Sequence, residues 1–253
     1  MAENIIDVTF DFTSDTKGYW DGYWERRDGL GLGGADPDTE SPTLRRYHKL
    51  IWSKQLPNGD FMDLQYGTPK SKNYLVWNDF RFASDSIITG FRYKCLKNLI
   101  YELRKQIPNY FEWQEMRTRH SYTIGGMIIF PKHKNSINGV RGTNFQIRDR
   151  IDLTIECIRR FYENEESPLS WVLKADEKFF NLFVDFKGFV DFFLLQDIVS
   201  NDYKSIKFFL DFNDFNFEPL PKNIEEYMRW KNCCTNFLNA RNQRIDIWAK
   251  QNL

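Results

Sequence analysis

Between Ile5 and Thr13, apolar Ile6, Val8, Phe10 and Phe12 alternate with polar Asp7, Thr9 and Asp11. A period of two puts the two sets on opposite faces of an extended chain and predicts a half-buried strand opening the fold. The stretch from Tyr19 to Asp38 breaks this pattern with Trp20, Tyr23 and Trp24 and then Gly29–Gly34, where four of six residues are glycine; it reads as an ordered loop. Ser41-Pro42 has the form of an N-cap and first helical residue. Asp36, Asp38 and Glu40 lie where a helix dipole favours negative charge, and Leu44, Tyr47 and Ile51 supply an apolar stripe. Pro57-Asn58-Gly59-Asp60 is a turn, and Val76, Phe80, Phe82, Ile87 and Phe91 suggest two strands between Tyr74 and Phe91.

Lys97–Ile107 reads as a short helix and Tyr122–Pro131 as a buried strand ended by proline. Beyond it the period changes. Ile147, Ile151, Ile155, Ile158 and Tyr162 share one face of a helix expected to start at Thr143 or Asn144 and to end near Asn164, and Leu153 and Cys157 opposite them imply burial all round. Ser167-Pro168 starts another helix, Phe179–Val199 supplies one or two more, and Asn223 to about Ala249 forms a long amphipathic one. Strands first and helices afterwards predict an α+β fold, a mainly antiparallel β region packed on a mostly helical C-terminal half. With no repeat or Gly/Ser/Pro-rich linker, residues 1–253 are expected to form one domain, β-rich over 1–135 and helix-rich over 143–253.

With 23 Phe, 12 Tyr and 8 Trp, the core is expected to be built from rings. Thirty-five basic residues balance thirty-five acidic ones, which argues against a protein devoted to non-specific nucleic-acid or membrane binding. Cys95, Cys157, Cys233 and Cys234 make no disulfide framework and read as reduced thiols. The start Met1-Ala2-Glu3-Asn4 lacks the pattern of a signal peptide, and polar residues interrupt the apolar run Phe179–Val199 before it could span a membrane. A cytoplasmic protein is the expectation.

Gly29-Leu30-Gly31-Leu32-Gly33-Gly34 matches the letters of a dinucleotide-binding fingerprint, but no buried strand precedes it and Asp36 and Asp38 stand where phosphates would go. No short-spaced Cys/His pairs offer a zinc site, and the chain contains neither a Gly-x-Ser-x-Gly elbow nor a P-loop, so no metal and no cofactor are expected. Asp152 and Glu156, four apart on one helix, could face a magnesium ion or pair with Arg148, Arg159 and Arg160; the pairing is favoured.

The segment from Arg117 to Arg148 carries Arg117, Arg119, Lys132, Lys134, Arg141 and Arg148, with His120 and His133, and no Asp or Glu. Set between a strand and the expected helix start at Thr143-Asn144, it has the makings of a phosphate site, because free helix amides and guanidinium forks both recognise such anions. The plainer alternative is a capping box, Thr143 to Gln146, with arginines answering the acidic stretch Asp149–Glu166.

Tyr122-Thr123-Ile124-Gly125-Gly126, Arg141-Gly142, Asp149–Glu156 and Asp185-Phe186-Lys187-Gly188, together with Asp11-Phe12-Thr13 and Tyr19-Trp20-Asp21, resemble a bacterial family of uncharacterised proteins of about this length. The resemblance covers nearly the whole chain and implies a bacterial or phage origin, but no reaction. Two readings stand. In one, the protein is an enzyme or sensor that binds or acts on a phosphate-bearing small molecule or nucleotide gripped by Arg117, Arg119, Arg141, Asn144 and Arg148, with His120, Glu156 and Asp152 as candidate acid–base groups. In the other, it is a binding module without chemistry, whose basic loop and aromatics near Trp20 and Trp24 meet a protein or single-stranded nucleic acid.

Overall fold

The computed structural model describes residues 5–21, 35–68, 74–87 and 96–253. Asp36 and Ser41 accept backbone N–H bonds at the starts of α1 (Pro37–Glu40) and α2 (Pro42–Trp52), each with proline in its first turn. These caps satisfy amides that a helix start leaves without partners. Helix α2 buries Leu44, Tyr47, His48, Ile51 and Trp52. A four-stranded antiparallel sheet follows in chain order: β1 (Gln65–Tyr66), β2 (Leu75–Trp77), β3 (Phe80–Ser86) and β4 (Met127–Pro131). The β2–β3 turn uses Asn78 in the left-handed region, at φ 49°, which asparagine tolerates better than most residues. In the β3–β4 pair Ser84 stands opposite Ile129 and Asp85 opposite Ile128.

Helices α3 (Lys97–Gln106) and α4 (Tyr110–Ser121) separate β3 from β4. The C-terminal half is helical: α5 (Ile137–Thr143), α6 (Ile151–Tyr162), α7 (Ser170–Ala175), α8 (Glu177–Phe180), α9 (Phe186–Phe192) and α10 (Ile224–Asn252). Among the described residues this makes an α+β fold with the sheet in the N-terminal half. The core is ring-rich, as the composition predicts. Phe179, Phe180, Phe183, Phe189 and Phe193 are fully buried, with neighbouring centroids such as Phe183 and Phe189 5.3 Å apart in edge-to-face contact. Helix α10 is pinned to the sheet by polar bonds. Arg241 donates to the carbonyls of Gly125, Met127 and Phe193, and Asn242 accepts from the Gly125 amide and donates to Thr123. No helix among the described residues is long and apolar enough to cross a membrane.

Two expectations need correction. Residues 5–13 form turns, not a strand. Asp7 and Asp11 accept the amides of Thr9 and Thr13 two residues on, and these local bonds replace a ladder. Ile6 and Phe12 are buried all the same, so the period correctly reported which side chains face inward. The second correction concerns Thr143 and Asn144, which end α5 instead of starting a helix. The Thr143 hydroxyl bonds back to Gly139 and Val140, Asn144 caps the C-terminus, and α6 begins only at Ile151, after Arg148 and Asp149 at φ 49° and 64°. Thr143–Gln146 is therefore not a capping box, and Arg141 lies in the last turn of a helix, where the dipole favours cations.

Candidate acid–base site around Arg141

Arg141 is fully buried, and protein groups bond to all three nitrogens of its guanidinium. Nε donates to the Thr154 hydroxyl, Nη1 to Asp85 at 3.0 Å with Asp149 at 2.7 Å, and Nη2 to the Asp149 carbonyl. These partners come from β3, the α5–α6 connection and α6, so the arginine ties the end of the central strand to the helical half. Asp85 is 14% exposed and Asp149 31%. Burial pushes the Asp85 carboxyl up to about 7; Arg141 opposes the rise and Asp149 adds to it. A carboxyl beside a guanidinium normally ionises readily, so here desolvation and the second carboxylate outweigh the cation.

Asp38, at α1, stands close enough for its charge to be felt by this group. Its two oxygens accept the Ser84 hydroxyl at 3.3 Å and the Ser86 amide at 3.2 Å. Its pKa is raised well above the carboxylate range, first by burial and then by Asp36 and Asp85. Behind it runs a hydrogen-bond chain through α2. Trp52 Nε1 donates to His48 Nδ1 and His48 Nε2 lies 2.9 Å from Ser84 Oγ, so neutral His48 holds its proton on Nε2 and donates to Ser84. Burial, with Arg241 nearby, lowers His48 to about 3 and keeps it neutral. Ser84 therefore passes its own hydrogen to Asp38. His48 cannot act as a base on Ser84, and this is not a nucleophilic pair; it is an orienting chain for Asp38.

The residues singled out from the sequence lie in separate places. Arg119 pairs with Glu115 and Asp11 and covers the Trp20 ring at 4.4 Å, while the Trp20 indole donates to Thr13. Arg117 donates to Thr235 and lies over Trp113. His120, with its pKa lowered by burial, shares with Arg117, Lys231 and Cys234 a cavity of about 30 Å³, room for one water and not for a nucleotide. Arg148 pairs with Glu218, and Asn144 holds the turn through the Gln146 amide. Asp152 pairs with buried Arg150 and accepts the Phe209 amide, and Glu156 is bound by Arg159 and Arg160. The structure thus unites Arg141 with Asp85 and Asp149, and Arg117 with His120, and the cavity beside His120 includes neither Arg141 nor its carboxylates. Gly29–Gly34, Trp24 and Cys95 lie outside the described residues. Among those described, Cys157, Cys233 and Cys234 are free, and no group of three or more His, Cys, Asp or Glu is placed to hold a metal ion.

Ser84 and Asp85 escaped the sequence reading, which named Asp38 and Asp149 only for their local charge and did not join either to Arg141. The available signal was Ser84-Asp85-Ser86, three polar residues running on directly from the apolar alternation of a strand bound for the core. Searches of curated proteins and of solved structures each found no match. A family model does match, over residues 6–245, and the chain belongs to that family, DUF6994, a family of unknown function.

Proposed function

We propose that the protein binds a neutral or cationic polar small molecule, one presenting hydroxyl or amine groups, at the cluster of Asp38, Asp85 and Asp149, and moves a proton on it with Asp85 as the acid–base group. The observation that carries this reading is the geometry of two carboxylates, Asp85 and Asp149, at 3.0 and 2.7 Å from a fully buried arginine, where burial pushes the Asp85 carboxyl up to about 7. General acid–base groups work best when their pKa lies near the operating pH, and burying such a charged constellation costs stability that packing alone does not demand. Arg141 and the Trp52–His48–Ser84 chain act as positioning residues for Asp85 and Asp38. Asp85 and Asp149 already occupy the Arg141 guanidinium, which leaves it poorly placed to take a phosphate, while their carboxyl oxygens suit hydroxyls and amines.

Thermal shift and calorimetry with two panels test the proposal: polyols, sugars and amines in one, nucleotides and sugar phosphates in the other. Members of the first panel are expected to raise the melting temperature of the wild type and to have no such effect on Asp85→Asn. Stabilisation by the phosphate panel alone would return the assignment to anion recognition and defeat this one.

A further inference from the structure

An open pocket of about 690 Å³ lies between the turn Pro57–Asp60 and helix α9, lined by Leu56, Phe183 and Phe192 and also by Lys54, Asp185, Lys187 and Asp191. The walls meet closely because residue 188 is glycine: a Cβ there would overlap the Phe183 carbonyl oxygen and press on Pro57. Val184, on the lip, is 63% exposed and holds φ 68°, ψ −53°, a conformation β-branched residues avoid. Backbone strain of that kind persists where the surroundings enforce it and gathers at functional sites.

The Lys54 ammonium nitrogen is enclosed rather than paired. It donates to the Phe192 carbonyl at 2.7 Å and lies 5.0, 4.6 and 4.8 Å from the ring centres of Trp52, Phe192 and Trp248. Fully buried Arg241 on α10 also lies over the Trp52 ring, 6.0 Å from its centre. The charged groups of α9 are engaged elsewhere. Lys187 pairs with Asp191, which also accepts from Tyr203 and Gln196, and Asp185 accepts the Gly188 amide. Lys54 thus has a cation near it and no carboxylate in ion-pair contact among the described residues.

We propose that this cavity receives a small aldehyde or ketone and that the Lys54 amine condenses with its carbonyl to give an imine. The nitrogen lone pair attacks the carbonyl carbon, one N–H proton passes to the oxygen that takes the C–O π pair to give a carbinolamine, and its hydroxyl leaves with the second N–H proton as water, leaving the C=N bond. Two conditions that activate a lysine for this chemistry, an apolar enclosure and a neighbouring cation, are both met. Burial first, then Arg241, bring its pKa down to about 7, against three ring faces that favour the ammonium. Leu56, Phe183 and Phe192 in the wall suit a short hydrocarbon part of the carbonyl compound, and the polar groups of the same wall suit a hydroxyl or keto substituent on it.

Reductive trapping in the full chain tests this. Wild-type protein is incubated with cyanoborohydride and either propanal or pyruvate between pH 6 and 9, and modified lysines are mapped by peptide mass. At pH 7 about half of an amine with pKa near 7 is neutral, against about one in three thousand for an ordinary lysine. Lys54 is expected to be labelled at least about tenfold faster than exposed Lys105 and Lys250, allowing for its enclosure, with the advantage shrinking toward pH 9. Labelling by one probe alone supports the site and selects between a simple aldehyde and a keto acid. Labelling of Lys54 by neither probe ahead of Lys105 and Lys250 overturns the proposal. Because sites are compared within the wild type, the outcome does not depend on a variant folding; Lys54→Arg, where it folds, should lose the fast-labelled peptide.

Discussion

Replacing Asp85 with Asn removes a carboxyl whose pKa the fold raises from 3.8 to about 7, and the consequence for stability can be worked out with its sign. A carboxyl with a raised folded pKa keeps its proton longer when folded. Its cost is absent below the unfolded value, grows as pH rises from about 4 to 7, and is constant above. The gap from 3.8 to about 7, at about 1.36 kcal/mol per pH unit, is about 4 kcal/mol. His48 runs the other way: with its pKa lowered from 6.5 to about 3, its contribution is lost as pH falls through that interval. The two slopes oppose one another between about pH 4 and 6.5, so a wild-type profile alone would look shallow. The difference between wild type and Asp85→Asn isolates the carboxyl. Urea unfolding followed by circular dichroism is expected to show wild-type stability, relative to the variant, falling by about 4 kcal/mol from pH 4 to 8. Asp38 shares the fall, since Asp85 is among the groups that raise it, and Asp38→Asn and Asp85→Asn should therefore combine non-additively. A difference that is flat, or that rises with pH, would mean that Asp85 ionises as an ordinary surface carboxylate, and the acid–base assignment would go with it.

Arg150→Met should cost roughly 3–5 kcal/mol in urea unfolding, because it leaves Asp152, at 0% exposure, without its cation. Gly188→Ala should lose about 1–3 kcal/mol through overlap with the Phe183 carbonyl, whereas Gly139→Ala, in open space within α5, should gain about 0.5–1 kcal/mol; equal effects from the two would contradict the packing described. Among the described residues Cys157, Cys233 and Cys234 are free, and thiol titration of denatured, unreduced protein is expected to find all four cysteines of the chain. In native protein Cys157, raised by burial to about 12, and Cys234, raised likewise by burial, should react much more slowly than Cys233.

Periodicity disclosed the helices with clear stripes and caps, such as α2 behind Ser41 and α10 behind Asn223, because a cap and a repeating apolar face are local properties. It failed at residues 5–13, where the inward alternation is real but Asp7 and Asp11 bend the chain through side-chain bonds that hydrophobicity does not encode. Helix α4 escaped because Phe111, Trp113 and Met116 make no single stripe, and only Tyr110 and Thr118 on it are buried. The site was less legible than the fold. Arg141 stood out for its charge, but a run of cations in sequence carries no information about the carboxylates that β3 and the α5–α6 connection bring to it. Lys54 gave no signal at all, since its cage is assembled from α2, α9 and the end of α10.

The bonds from Arg241 and Asn242 to Thr123, Gly125 and Met127 also bear on how the chain is made. They span 114 to 119 residues and close the gap between the strand that completes the sheet and the last helix. Domains emerge from the ribosome amino-terminus first, at about 5–20 residues per second. Until residue 242 has cleared the exit, the carbonyls and amides preceding β4 have no partners from α10, and the buried guanidinium that ties them is not yet present. Completion of this part of the fold therefore waits for α10, and until then the β4 side of the nascent sheet lacks the helix that satisfies it.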